Sequence, residues 1–150
     1  MVTGASDGIG RAFATVVAEA GLDVVLVARR AELLEELARH LTSTFGVDAR
    51  VIPADLGTRE GIESLVEGTN DLDVGLLVAA AGFGTSGSFV DAAIEDELDM
   101  VDVNCRAVAA VSHHFGGRFA RQKRGGIVLL SSIVAFQGVP RAANYAATKA

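Results

Sequence analysis

Thr3-Gly4-Ala5-Ser6-Asp7-Gly8-Ile9-Gly10 is the stretch on which the fold turns. Val2-Thr3 before it reads as the last piece of a strand. A helix reads from 11 to 20 after it, with Ile9, Phe13, Val16 and Val17 on its apolar face and Gly21 as its stop. A glycine-rich turn between strand and helix gives each glycine its own task. Gly4 permits the tight exit from the strand, Gly8 lets backbone approach an anionic group, and Gly10 lets the helix lie close to the sheet, with Ala14 one turn later. The free N–H groups of the helix N-terminus then face a phosphate.

Outward from this turn, strand and helix patterns alternate. Asp23–Ala28 is apolar after its first residue, as expected of a strand covered by helices on both faces. The spacing of Leu33, Leu34, Leu37, Leu41 and Phe45 predicts a helix over 31–45, stopped by Gly46. A strand follows over 47–53. Thr58 caps a short helix carrying Ile62, Leu65 and Val66, and 73–80 reads as a fourth strand. A loop rich in Gly and Ser covers 82–88. A long helix over 92–121, kinked or broken near Asn104, ends at Gly125-Gly126, and a fifth strand is expected at 127–131. Tyr145 opens a further helix. This alternation predicts an α/β fold, a doubly wound parallel sheet with helices on both faces.

Composition narrows the function. The 150 residues are 50% hydrophobic, with 17 Gly and only 2 Pro, which suits one compact domain over 1–150 and excludes a disordered tail. Thirteen basic against nineteen acidic residues leave a net charge of −6, which disfavours nucleic acid as a partner. Arg118, Arg121, Lys123 and Arg124 read as a solvated helix end. No apolar run is long enough to span a membrane, and no signal peptide is visible. Cys105 is the sole cysteine, so neither an intrachain disulfide nor a thiolate metal cluster can form. It reads as a small buried side chain in a protein of a reducing, cytoplasmic compartment. His40, His113 and His114 lack metal-ligand spacing. Asp91, Glu95, Asp96, Glu97 and Asp99 read as complements to a helix dipole.

The second strand ends in Arg29 and Arg30, about twenty residues beyond Gly10, where a carboxylate would accept from the adenosine ribose hydroxyls of NAD. Guanidinium groups suit a 2′-phosphate instead, so NADP is expected and NAD is the lesser expectation. One of the two arginines can equally be a surface residue that starts the helix. Ser6 offers a further hydroxyl. Asp55, followed by Leu56, suits either an acceptor for the adenine amino group or a plain helix cap.

Tyr145 and Lys149 are four residues apart on one helix face, and Ser132 lies thirteen residues before the tyrosine. A phenol can protonate the oxygen of a carbonyl as it is reduced, and a nearby ammonium favours the phenolate form that must follow. A serine hydroxyl just past a strand end can hold the developing charge. Strand alternation allows only one of Ser131 and Ser132 to face such a site. Asn104, inside a helix, can interrupt it and hold a water linked to Lys149.

With these residues in place, the chain resembles the short-chain dehydrogenase/reductase family, in its group with a Tyr-x-x-x-Lys site. The resemblance covers essentially all 150 residues. It implies a Rossmann-like fold and an oxidoreductase moving a hydride between NADP(H) and a ketone or secondary alcohol. It implies Tyr145 as acid in reduction and base in oxidation, Ser132 positioning the carbonyl, Lys149 on the nicotinamide ribose, and Asn104 in a proton relay. Gly4, Ser6, Asp7, Gly8, Ile9, Gly10, Arg29, Arg30, Asp55, Leu56, Ala81, Gly82, Tyr145 and Lys149 would hold the cofactor. A homodimer or homotetramer is implied, built through the long helix and the one at Tyr145. Where members have Asn-Asn-Ala-Gly, this chain has Ala79-Ala80-Ala81-Gly82. Against the family's length the chain reads as truncated after the fifth strand, lacking the substrate-covering loop. Two other classes remain: a non-catalytic NADP-binding or regulatory module, and a purely structural assembly domain that binds no nucleotide.

Overall fold

The computed structural model describes residues 1–150. Five strands form one parallel sheet: β1 (Val2–Thr3), β2 (Val24–Ala28), β3 (Ala49–Pro53), β4 (Leu76–Ala79) and β5 (Gly126–Leu129), in the spatial order β3-β2-β1-β4-β5. The helices are α1 (Gly8–Glu19), α2 (Ala31–Phe45), α3 (Arg59–Glu67), α4 (Ile94–Val101), α5 (Val108–Gln122) and α6 (Ala143–Lys149). The order of the strands reverses on either side of β1. Chain leaving β1 turns one way while chain leaving β4 turns the other, so a crevice opens above their carboxyl ends.

Two apolar cores cover the two faces of this sheet. One holds Leu26, Leu34, Leu37, Leu41 and Val78 under α1 and α2. The other holds Val27, Leu65, Leu77, Val111, Phe115 and Phe119 under α3 and α5. Neighbouring residues of β2 and β4 thus point into opposite cores, which is why both strands read as unbroken apolar runs. No helix is long and apolar enough to cross a membrane.

The first helix differs from its expected face. Ile9 and Val16 are each 61% exposed, while Gly10, Ala14 and Ala18 form the buried stripe, with Phe13 and Val17 packed beside it. Close approach to the sheet selects small residues. A Cβ at Gly10 would lie 2.3 Å from the carbonyl oxygen of Gly4, so no side chain fits there. The helix also starts three residues earlier than the apolar pattern suggests, because Asp7 caps it by accepting from the Gly8 N–H at 2.7 Å. Thr58 caps α3 as expected, accepting from the Gly61 N–H at 3.0 Å.

Near Asn104, where a kink or break was expected, the long helix runs on without a break but changes its winding. Between α4 and α5 the chain makes a π-helical stretch, Asp102–Ala107, with its wider hydrogen-bonded turn. Lys123, with φ +55°, ends α5 in the left-handed region ahead of the two glycines. Cys105 is exposed, not buried, with its Sγ 3.7 Å from the Thr148 carbonyl oxygen. It faces α6 beside Asn104, whose amide donates to the Thr148 hydroxyl. Arg118 is only partly solvated, since it donates to the carbonyls of Thr69 and Leu72 beyond the end of α3. His114 packs edge-on against Phe115. Burial, then the neighbouring Arg118 and Arg121 guanidiniums, push its pKa below the usual imidazole value. Glu95 and Asp96 are exposed in the first turn of α4, as a dipole role requires, but Glu97 is buried.

These placements set an expectation for stability. Leu37→Ala should cost about 2–5 kcal/mol, the usual range for emptying a filled core site. Val16→Ala should change stability by no more than about 0.5 kcal/mol, as exposed substitutions do. Urea melts of the two variants would check this; equal losses would contradict the assigned face of α1.

Candidate active site

Every strand contributes to the crevice above the carboxyl edge of the sheet, which has a volume of about 550 Å³. Beyond β1 come Gly4, Ser6, Asp7, Gly8, Ile9 and Gly10. Ala28 ends β2 and Arg29 and Arg30 follow it, and Asp55 and Leu56 follow β3. Beyond β4 come Ala81, Gly82, Phe83 and Gly84. Ser131 follows β5, and Tyr145 and Lys149 reach in from α6.

At the glycine turn, Gly8 has φ +51° and nothing within 4 Å of the place a Cβ would occupy, so the turn is open toward the crevice. Thr3 draws the two central strands together beneath it. Its hydroxyl accepts from the Ala80 and Ala81 N–H groups, both at 3.1 Å. The backbone donors left by the alanines at 79–81 are therefore satisfied without asparagine amides.

Against the same turn, Arg30 donates to the Ser6 hydroxyl at 3.0 Å and lies 3.6 Å from an Asp7 carboxylate oxygen. Both charged side chains are more than half exposed. Such a pair is worth at most about 1 kcal/mol, so it can be exchanged for a phosphate at little cost. Arg29 is exposed beside it and forms no ion pair. Asp55 uses one oxygen to accept from the Gly57 N–H at 3.0 Å, and its carbonyl accepts from the N–H of Thr58. It is thus a turn residue that also lines the crevice. A glycine cradle open to solvent, a helix N-terminus and two exposed guanidiniums, one of them only weakly paired, together suit a dinucleotide bearing an extra phosphate.

Tyr145 and Lys149 share a face of α6 and converge on the loop after β4. A Cβ at Gly84 would lie 2.8 Å from Cδ2 of the Tyr145 ring, so the ring rests on bare backbone. A Cβ at Gly82 would lie 3.0 Å from Lys149 Nζ and 2.9 Å from Asn104 Oδ1. The ammonium donates to the Leu130 carbonyl at 3.1 Å.

Asn104 lies behind the crevice wall. Its amide accepts from the Phe83 N–H at 3.1 Å and donates to the Phe83 carbonyl at 2.8 Å and to Thr148 Oγ1 at 2.9 Å. The amide so fixes the loop to both long helix and α6. Ser132 is not brought to Tyr145 by a hydrogen bond. It starts a short 3-10 turn over Ile133–Ala135, where its hydroxyl accepts from the Val134 N–H at 3.4 Å. Its neighbour Ser131 lines the crevice and donates to the Lys149 carbonyl at 2.7 Å. Gly84 and Thr148 had no motif to mark them, because their work depends on contacts made across the fold.

The short chain dehydrogenase family matches residues 1–150. This chain belongs to that family. It is 37% identical over 150 residues to a 7beta-hydroxysteroid dehydrogenase of Clostridium sardiniense, covering 100% of this chain and 58% of that protein. It is 34% identical over 153 residues to the human inactive hydroxysteroid dehydrogenase-like protein 1, covering 100% of this chain and 46% of that one. Among solved structures, a short-chain dehydrogenase from Sphingobium yanoikuyae in complex with NADPH superposes with a TM-score of 0.94. The two are 33% identical, with 99% of this chain and 58% of that one covered. The chain thus spans about half the length of the curated relatives it matches.

Asn104→Ala should strand the N–H and carbonyl of Phe83 and cost about 1–3 kcal/mol, the penalty for unpaired buried polar groups. Hydrogen exchange at the Phe83 amide should accelerate in parallel. Unchanged protection there would show that Asn104 does not hold the loop.

Proposed function

We propose that residues 1–150 form the nucleotide-binding and proton-transfer part of an NADP-dependent oxidoreductase. It would interconvert a small-molecule ketone and a secondary alcohol. The observation that carries this reading is the placing of the Tyr145 ring and the Lys149 ammonium over Gly84 and Gly82, in the same crevice as the glycine turn. Bound there, the nicotinamide supplies or accepts the hydride. Gly8 admits the pyrophosphate, Gly4 and Gly10 hold α1 low on the sheet beside it, and the N–H groups opening α1 stabilise its charge. Arg29 and Arg30 meet the 2′-phosphate, while Asp55 and Leu56 border the adenine. Ala81 and Gly82 let the cofactor lie close to backbone.

In reduction Tyr145 gives its phenolic proton to the substrate oxygen, and in oxidation it removes that proton. Lys149 offsets the phenolate charge and contacts the ribose. Asn104 holds the wall against which these groups work, and Ser132 turns its hydroxyl to the carbonyl when substrate arrives. Phe83, which lines the crevice, and Phe89, Phe136 and Val139 on the neighbouring loops are exposed apolar groups that favour an apolar substrate. Ile94, Leu98 and Val101 leave an exposed apolar strip on α4, consistent with assembly into a dimer or tetramer. The exposed free thiol of Cys105 fits a reducing compartment such as the cytoplasm.

A second reading is a non-catalytic NADP-binding module. It is favoured by Ser132, whose hydroxyl lies at its own turn with no hydrogen bond to Tyr145, and by the relative named inactive. One experiment separates the two. In the full-length protein, Tyr145→Phe should lower ketone turnover by about a hundredfold or more while NADP affinity stays within about twofold. Binding without turnover in the unaltered protein would favour the module.

Cofactor choice has its own check. Arg30→Ala should weaken NADP binding by about tenfold or more, the scale of a charge-assisted hydrogen bond, and leave NAD nearly unaffected. Equal losses for the two nucleotides, measured by titration, would remove Arg30 from the phosphate site.

A further inference from the structure

Glu97 is the one acidic side chain of the chain buried below a tenth of its surface, at 5% exposure, and the proton-transfer chemistry gives it no task. It lies in the first turn of α4 and belongs to none of the five ion pairs. A carboxylate withdrawn from water without a cation is costly to hold, and less so where its oxygens are hydrogen-bonded. Here both are. Oε1 accepts from the Thr85 hydroxyl at 2.8 Å, and Oε2 accepts from the Asn144 amide at 2.6 Å. The Asn144 amide also donates to the Glu97 carbonyl at 3.0 Å.

The partners are informative because of their neighbours. Thr85 follows Gly84, the residue against which the Tyr145 ring rests, and Asn144 immediately precedes Tyr145. The carboxylate therefore bridges the two chain segments that meet at the phenol, one residue from the contact on each side. Asn104 makes the matching bridge seven residues along the same helix, from Phe83 to Thr148. The loop and α6 are held by two rungs, with Gly84 and Tyr145 between them.

We infer that Glu97 is a positioning residue that sets the phenol of Tyr145 against the loop after β4 by bridging Thr85 and Asn144. This inference rests on the oxidoreductase reading for its effect on turnover, but not for its effect on the ring. Glu97 is not among the residues lining the crevice, so its influence on cofactor affinity should be small.

The test uses the full-length protein with Glu97→Gln, Asn144→Ala and their double variant. Glu97→Gln keeps the volume and presents an amide N–H where one donor expects an acceptor. Turnover should fall about tenfold to a hundredfold, the scale of a catalytic group displaced by about an ångström, while NADP affinity stays within about twofold. The double variant should lose no more than the worse single one, since all three changes break one bridge. The ring signal of Tyr145 in protein labelled with 13C-tyrosine, identified by its loss in Tyr145→Phe, should shift or broaden in each variant. An unmoved signal in folded Glu97→Gln would overturn the inference, as would additive losses in the double variant. If Glu97→Gln does not fold, Thr85→Val removes the loop's donor and carries the same expectations. A protein with no turnover whose Tyr145 signal still responds to Glu97→Gln would sink the oxidoreductase reading and uphold the bridge.

Discussion

Backbone meets backbone where α1 crosses the end of β1, and the rest of the site is arranged around that contact. With a hypothetical Cβ of Gly10 only 2.3 Å from the Gly4 oxygen, helix and turn can nest only if this position carries no side chain. Gly4 answers the same constraint from below. Its φ of +66° and the Ala80 and Ala81 backbone 2.8 Å from its would-be Cβ leave room for no other residue without displacement. Because α1 is held this low on the sheet, its N-terminus opens at the switch point between β1 and β4, and a phosphate there would meet unpaired N–H groups. A helix standing higher would bury more side chain and lose that geometry.

Much of this was legible in the chain. The glycine turn, the apolar runs of β2 and β4, the leucine stripe of α2 and the Thr58 cap all depend on interactions within a few residues, and these survive folding unchanged. Tyr145 and Lys149 were legible too, since a separation of four on a helix puts two side chains together wherever the helix lies. The face of α1 was legible only in part: Gly10, Phe13, Ala14 and Val17 pack as expected, and Ile9 and Val16 do not. Val16 and Ile9 are hydrophobic by composition, but the sheet beneath admits only Gly10, Ala14 and Ala18. Packing distance overrode hydropathy.

The remaining surprises share a cause. Glu97 resembled its exposed neighbours Glu95 and Asp96, and only the return of α6 to α4 reveals that it is enclosed by Thr85 and Asn144. The one hint in the chain was its spacing of seven from Asn104, which places both on a common side of the helix. Ser131 and Ser132 were separable in principle by strand alternation. Strand β5 ends at Leu129, however, so both serines lie outside the ladder where alternation rules. Their roles are set by the 3-10 turn and by the carbonyl of Lys149 instead.

Gly84 carries a wider consequence. The aromatic ring of Tyr145 leans on the peptide unit at Gly84, so its orientation depends on that position carrying no side chain. Phe83 and Phe89, on the same stretch of chain, are free to change size as a new molecule demands. In the proposed oxidoreductase, selectivity and proton transfer would then sit side by side, and a lineage could vary the two phenylalanines while the glycine between them stays fixed.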